Sequence, residues 1–177
     1  KRAGCVLVNI GAETVSIAVF ENGTPISVKV FPIGANDITN DVALGLKIAP
    51  EEAEKIKRGA VSGINFSRKK LDEIVAARFT DIFELVDAHL KRLKRDGLLP
   101  AGAIIVGGGA NAAPAAELAK TALSLPARVA MIDTGQHSKQ RSSVWAVAYG
   151  LCMWGANTDH EQDEVGIARK KKNAFLE

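Results

Sequence analysis

The feature that most limits how this chain can fold is the stretch from Val6 to Phe20, two apolar runs separated by a tight polar turn. Val6, Leu7, Val8 and Ile10 read as a buried strand, and Val15, Ile17, Val19 and Phe20 as its hairpin partner. The turn at Asn9–Thr14 holds Gly11 and Ala12, small enough for close backbone approach. Inward-pointing amides there would form a nest able to hold a phosphate. An ordinary hairpin with a polar turn accounts for the same residues. Glu21-Asn-Gly23 signals a second reversal. Ile26, Val28 and Val30 then alternate with Ser27 and Lys29 as a third strand, so residues 1–33 are expected to be an antiparallel meander.

Helical spacing follows. Asn36 or Asp37 is placed to cap a helix with Ile38, Val42 and Leu46 on one face. Pro50 opens a second helix, Pro50–Arg58, with Glu51 and Glu52 at its positive end. Gly59 ends it, and Ala60–Phe66 is a short irregular link. Ser67 caps the longest element, in which Leu71, Ile74, Val75, Phe79, Ile82, Phe83, Val86, Leu90 and Leu93 keep a helical period to about Arg95. Ala103–Val106 is a buried strand that runs directly into Gly107-Gly-Gly-Ala-Asn111. A helix is expected from near Pro114 to Leu125, a strand over Arg128–Ile132, a polar loop over Asp133–Ser143 and an apolar helix over Val144–Met153. The polar remainder, with the basic run Arg169–Lys172, is expected to be disordered by itself.

The 177 residues suffice for one good-sized domain or two small lobes. Hydrophobic residues make up 47% but aromatic ones only 5%, so the core must be aliphatic. A net charge of +3 is too mild to argue for nucleic acid. Cys5 and Cys152 have no metal-ligand spacing and suit a reducing cytoplasm. No apolar run reaches membrane-spanning length. The chain opens on Lys1 and passes at once into a core strand, which leads to the expectation of a fragment of something longer.

Chemistry has few candidate seats. Gly107-Gly-Gly-Ala110 is not G-x-G-x-x-G, and no acidic residue follows at the spacing a ribose needs, so a dinucleotide fold has little support. Three glycines let a flat ligand or another backbone approach closely. A tight strand-to-helix turn explains them equally. Glu54 and Lys57 lie one helical turn apart. A carboxylate there would accept from ribose hydroxyls and a Lys stem would lie along a purine, while a solvated i,i+3 pair explains them too. His89, His137 and His160 are scattered, and Ser142 and Ser143 have no partner at a recognisable spacing. No metal site and no catalytic residue are therefore expected.

Three of these stretches occur together in one family. Val6–Phe20 resembles the second phosphate loop of the actin-like ATPases, Pro50–Arg58 their adenosine-facing helix and Val106–Ala110 their adenosine loop. Within them the chain is most similar to the FtsA family of bacterial cell-division proteins. Phe31–Leu46, Leu71–Leu85 and Leu99–Ala110 carry that likeness, which spans about residues 4–155. The resemblance implies an α/β, actin-like (ribonuclease H-like) domain with a mixed five-stranded sheet and helices. Residues 1–33 and 76–155 would form the larger subdomain, 34–75 a small inserted one and 156–177 a flexible basic tail.

It also implies function. Gly11, Ala12 and Thr14 would approach the phosphates of ATP, Glu54 and Lys57 the adenosine, and Gly107, Gly108 and Gly109 its base and ribose. Mg2+ would accompany the ATP. The family links filaments of the tubulin-like protein FtsZ to the inner face of the cell membrane at the division site, and forms actin-like filaments itself. An active ATPase or kinase of the same fold and a nucleotide-free interaction module are the alternatives. Asn9 stands where the family's phosphate loop has Asp, and Glu13 where it has Gly, so both metal and triphosphate binding are expected to be weakened and ATP hydrolysis at most weak. The link between Arg58 and Ser67 is shorter than the family's, and the half bearing the first phosphate loop is absent. Arg68, Lys69, Lys70 and Arg78 make the start of the long helix basic and would steer an acidic FtsZ C-terminal tail. A solvated basic helix start is the competing account. The tail, with Val165, Ile167, Phe175 and Leu176 around four cations worth about 1 kcal/mol each on an anionic leaflet, is expected to give weak membrane contact.

Overall fold

The computed structural model describes residues 3–60, 65–111, 114–130 and 143–157. They belong to two compact units, 1–144 and 145–177. In the first unit the elements are β1 (Cys5–Ile10), β2 (Val15–Glu21), β3 (Thr24–Phe31), α1 (Ala35–Leu46), α2 (Pro50–Lys57), α3 (Arg68–Arg92), β4 (Gly102–Val106), α4 (Ala115–Leu123) and β5 (Ala127–Val129). The second unit holds a helix over 146–157.

The meander forms as its spacing dictates. Val6, Val8 and Ile10 of β1 lie opposite Val19, Ile17 and Val15 of β2. All six are buried, which fixes the register because a one-residue slip would turn them to the other face. Asn22 (φ 52°) and Gly23 (φ 82°) both take the positive φ that a two-residue hairpin turn requires. In β3 the alternation foretold a strand but not its face. Ser27 and Phe31 meet His89 of α3, by a 2.9 Å hydrogen bond and an edge-on ring contact. The pleat therefore turns Ile26, Val28 and Val30 away from α3, and all three are exposed.

The sheet has five strands in the order β3-β2-β1-β4-β5. The first three are antiparallel neighbours, whereas β1–β4 and β4–β5 are parallel. A parallel neighbour needs a crossover, and α1 to α3 supply it. The α3 helix buries Leu71, Val75, Phe79, Ile82, Phe83, Val86 and Leu90 along one stripe, with Phe79 and Phe83 stacked at 6.1 Å. Residues 34–75, expected as a small inserted subdomain, send Ile38, Val42, Ala53, Ile56, Leu71 and Val75 into the same continuous core as the strands.

Several expected boundaries move. The α1 helix is capped by Gly34 rather than by Asn36 or Asp37, since Asp37 lies in the first turn and reaches back to accept the Gly34 N–H at 2.7 Å. Ser67 does cap α3, accepting from the Lys70 N–H. That helix ends at Arg92, short of the expected Arg95, which has left the helix to form a two-pronged pair with Glu21 of β2. The helix of the second unit begins at 146, after a short 3-10 turn at Ser143–Trp145. Most of the irregular link, most of the polar loop over Asp133–Ser143 and the basic tail lie outside the described residues. Among those described, no helix is long and apolar enough to cross a membrane.

Candidate functional site

Parallel neighbours open their C-terminal ends together, and in open α/β sheets ligands collect there. At that end β1 passes into the turn Gly11–Thr14 and β4 into Gly107–Gly109. The first turn is closed by the Gly11 N–H donating to Thr14 O at 2.9 Å. Its carbonyls are turned to α1, where Ala35 N–H donates to Gly11 O at 2.9 Å and Asn36 N–H to Ala12 O at 2.8 Å. Ala12, Glu13 and Thr14 are exposed.

The three glycines of the second loop are glycines for different reasons. Gly107 has φ 93°, and a side chain there would strike the Ile10 carbonyl and the Asn9 carboxamide. Gly109 would collide with the Ile10 side chain. So this loop is seated directly on the end of β1, beside the first turn. Gly108 is exposed, has no positive φ and would meet nothing within 4 Å. Nothing inside the described chain requires glycine at that position.

Ser143 fastens the loop. The residue is 2% exposed; its carbonyl accepts the Gly107 N–H at 3.0 Å, and its hydroxyl lies 3.4 Å from Gly107 O and 3.2 Å from Asn111 Oδ1. Neither Asn111 nor this role for Ser143 was legible, because the serine sits far along the chain with no motif around it. Asn9 Nδ2 faces Ser16 Oγ at 3.4 Å, so the end of β1 presents a neutral amide. Among the described residues no three His, Cys, Asp or Glu side chains group to hold a metal ion.

Glu54 and Lys57 are brought together, but with company the spacing did not announce. Lys57 Nζ lies 2.5 Å from Glu54 Oε2, 2.6 Å from Thr39 Oγ1 and 2.9 Å from Ala35 O. Thr39 Oγ1 lies 2.6 Å from Glu54 Oε2. The Lys57 side chain is only 9% exposed and that of Glu54 40%. Burial pushes the Glu54 carboxyl up, yet the hydrogen bonds from Lys57 and Thr39, together with the charges of Lys57 and Arg58, outweigh it and hold the group below its ordinary value. The one available signal for Thr39 is a hydroxyl between Ile38 and Val42 on an otherwise apolar helix face.

At the start of α3 three of the four cations are paired, two within the helix and Arg78 chiefly with α1. Arg68 pairs with Asp72 at 3.2 Å and Lys69 with Glu73 at 3.9 Å. Arg78 grips both oxygens of Asp41, at 2.6 and 3.0 Å, and reaches Asp81 at 3.3 Å. A separate cleft of about 490 Å³ lies between α3 and α4, bordered by Glu84, Asp87, Lys91 and Leu118. An ion pair on its border, Lys91–Asp87 at 2.6 Å, joins two residues of α3.

The sequence profile of the family described as cell division protein FtsA matches residues 6–150. The FtsA of Pseudomonas aeruginosa is 32% identical across 88% of this chain, which spans 43% of that relative. The FtsA of Bacillus subtilis is 32% identical across 73% of the chain, which spans 34% of it. Among solved structures, MreB5 of Spiroplasma citri bound to AMPPNP superposes with a TM-score of 0.70 at 16% identity, over 92% of this chain and 55% of its own. The fold is thus the actin-like one, with a mixed five-stranded sheet. The chain belongs to the FtsA family and spans less than half the length of these curated relatives.

Proposed function

We propose that this member of the cell-division FtsA family is an adaptor whose actin-like cleft takes an adenine nucleotide at the joint end of β1 and β4. The observation that carries the reading is Gly108, an open glycine with no internal reason to be one, on a loop seated against β1. Such a position suits a flat group lying on the backbone. The similar MreB5 structure, which holds AMPPNP, supports a nucleotide as that group. In this reading Gly107, Gly108 and Gly109 face the base and ribose, Glu54 and Lys57 the adenosine, and Gly11, Ala12 and Thr14 the phosphates. ATP supplies bridging contacts rather than a reaction. Asn9 and Glu13 favour binding with little help from Mg2+ and hydrolysis that is at most weak.

The adaptor role extends to an FtsZ C-terminal tail, to self-association in actin-like filaments, and to a location on the inner face of the membrane at the division site. Family membership supports these. Lys70, exposed and next to the paired Arg68 and Lys69, keeps the start of α3 in consideration as the acidic-tail contact, with Arg78 held as a rigid neighbour. The basic tail would add weak contact with anionic lipid. The nucleotide-free interaction module is the second reading, favoured by Asn9 and by Lys57 already holding three oxygens.

Gly108→Leu tests the cleft, because a Cβ added at that position meets nothing within 4 Å in the described chain. Calorimetry of the intact protein should show ADP affinity falling at least about tenfold, the equivalent of 1.4 kcal/mol, with unfolding unchanged. Unchanged ADP affinity would remove the loop from the site. No ADP or ATP binding by the unaltered protein would favour the nucleotide-free module.

A further inference from the structure

Thr39 occupies the middle of α1, where a threonine hydroxyl ordinarily bonds back to the carbonyl four residues earlier. Ala35 O does lie 3.2 Å from Oγ1. But a hydroxyl donates once and accepts twice. Glu54 Oε2, a charged acceptor at 2.6 Å, is the stronger claimant for that proton. Lys57 Nζ at 2.6 Å then donates to the hydroxyl, and its next proton goes to Ala35 O at 2.9 Å. The threonine thereby releases Ala35 O to the lysine and holds the ammonium against it.

The consequence runs through rigid groups. Ala35 C=O and Asn36 N–H belong to one planar trans peptide, so they point in opposite directions. The carbonyl end meets Lys57, and the N–H end donates to Ala12 O at 2.8 Å. A cation on the oxygen of a peptide also strengthens its N–H as a donor. The same logic applies to the next group. Ala12 C=O faces α1, so the Glu13 N–H of that peptide points away from α1. Gly11 C=O, held by Ala35 N–H at 2.9 Å, likewise turns the Ala12 N–H outward. Among the described residues neither amide donates to a backbone carbonyl of a turn, loop or cap.

We infer that Thr39 is a positioning residue that, through Lys57 and the Ala35–Asn36 peptide, sets the direction of the Ala12 and Glu13 amides and couples them to Glu54. This rests on the nucleotide reading above and adds a regulation to it. A ligand that presents a hydroxyl to Glu54 and a phosphate to the turn meets one connected unit, not two separate contacts. Adenosine alone engages only the first of its ends.

The experiment uses Thr39→Val, which keeps shape and removes the hydroxyl, and Thr39→Ser, which restores it. Calorimetry of the intact protein with ADP and with adenosine should show ADP affinity falling about tenfold in Thr39→Val, adenosine affinity changing less than about twofold, and Thr39→Ser recovering the ADP value. Equal loss for both ligands, or no rescue by serine, would overturn the inference, since a merely structural role moves both together. Amide exchange reads the coupling without any nucleotide. In Thr39→Val the Ala35 and Asn36 amides should exchange about tenfold faster while those of β1 and β4 stay protected. Unchanged exchange at Ala35 and Asn36 also overturns it, even if the unaltered protein binds no nucleotide and only the cleft reading fails. If Thr39→Val loses its fold, Lys57→Met, which withdraws the cation from Ala35 O, gives the same exchange readout.

Discussion

Two regions carry oppositely charged pairs at helical spacing, and they differ in almost everything else. On α2, Glu54 and Lys57 are built into a cluster with Thr39 and Ala35 O, and the lysine is 9% exposed. At the start of α3, Arg68 with Asp72 and Lys69 with Glu73 leave their cations 73% and 87% exposed. Spacing decides which side chains meet in both cases. What each meeting is worth depends on partners from a further element, and of these pairs only Glu54–Lys57 is shown with them, in Thr39 and Ala35 O of α1. An exposed pair is screened by water and must order two long side chains for little return. A pair with further acceptors around a desolvated ammonium forms a unit whose members cannot be withdrawn singly without loss.

The largest expected break in this contrast is Lys57→Met. It leaves Ala35 O and Thr39 without their donor and Glu54 without its cation. Denaturant unfolding should show a loss of about 2 kcal/mol, within the range for hydrogen bonds to charged groups. A loss below about 0.5 kcal/mol, the exposed-pair level, would erase the distinction between the two regions.

Acid titration sharpens it. The Glu54 carboxyl is held below its ordinary value in the folded chain by its bonds to Lys57 and Thr39 and by the neighbouring cations. Its contribution is therefore fully present above that unfolded-state value and is lost as pH falls through the lower folded one. Unfolding measured across this acid window should be less pH-dependent in Glu54→Gln than in the parent. Identical slopes would show that Thr39 and Lys57 do not favour the charged carboxylate.

The smallest effect belongs to α3. Arg68→Ala and Lys69→Ala should each change unfolding free energy by less than about 0.5 kcal/mol. A larger loss by either would mean that the exposed pairs are tied to something beyond their own helix.

The same contrast explains what could be read in advance. Period-two runs named β1, β2 and β3, and a period of three to four named α3, because burial against a sheet imposes those repeats. The glycines at 107 to 109 marked a close approach, and two of them prove to be explained by Asn9 and Ile10 of β1. The partners of Lys57 were not legible. They lie on another helix, and nothing in Glu54-Lys-x-Lys spacing reports a threonine fifteen residues away in sequence. The face of Ile26, Val28 and Val30 escaped for a similar reason. Alternation gives two sets of residues, and only contact with His89 says which set is inside.

The parallel pairing of β1 with β4 has a kinetic consequence. The β1–β2–β3 meander closes through short turns, so its contacts cost little chain entropy and can form early. The β1–β4 ladder joins strands with β2, β3 and three helices between them in sequence, so its closure costs more chain entropy. Gly107 and Gly109 reach Ile10 only when that ladder closes. The glycine loop and the Gly11–Thr14 turn therefore become neighbours only through that long-range pairing, and a chain that has not completed its central sheet has two half-sites and no cleft.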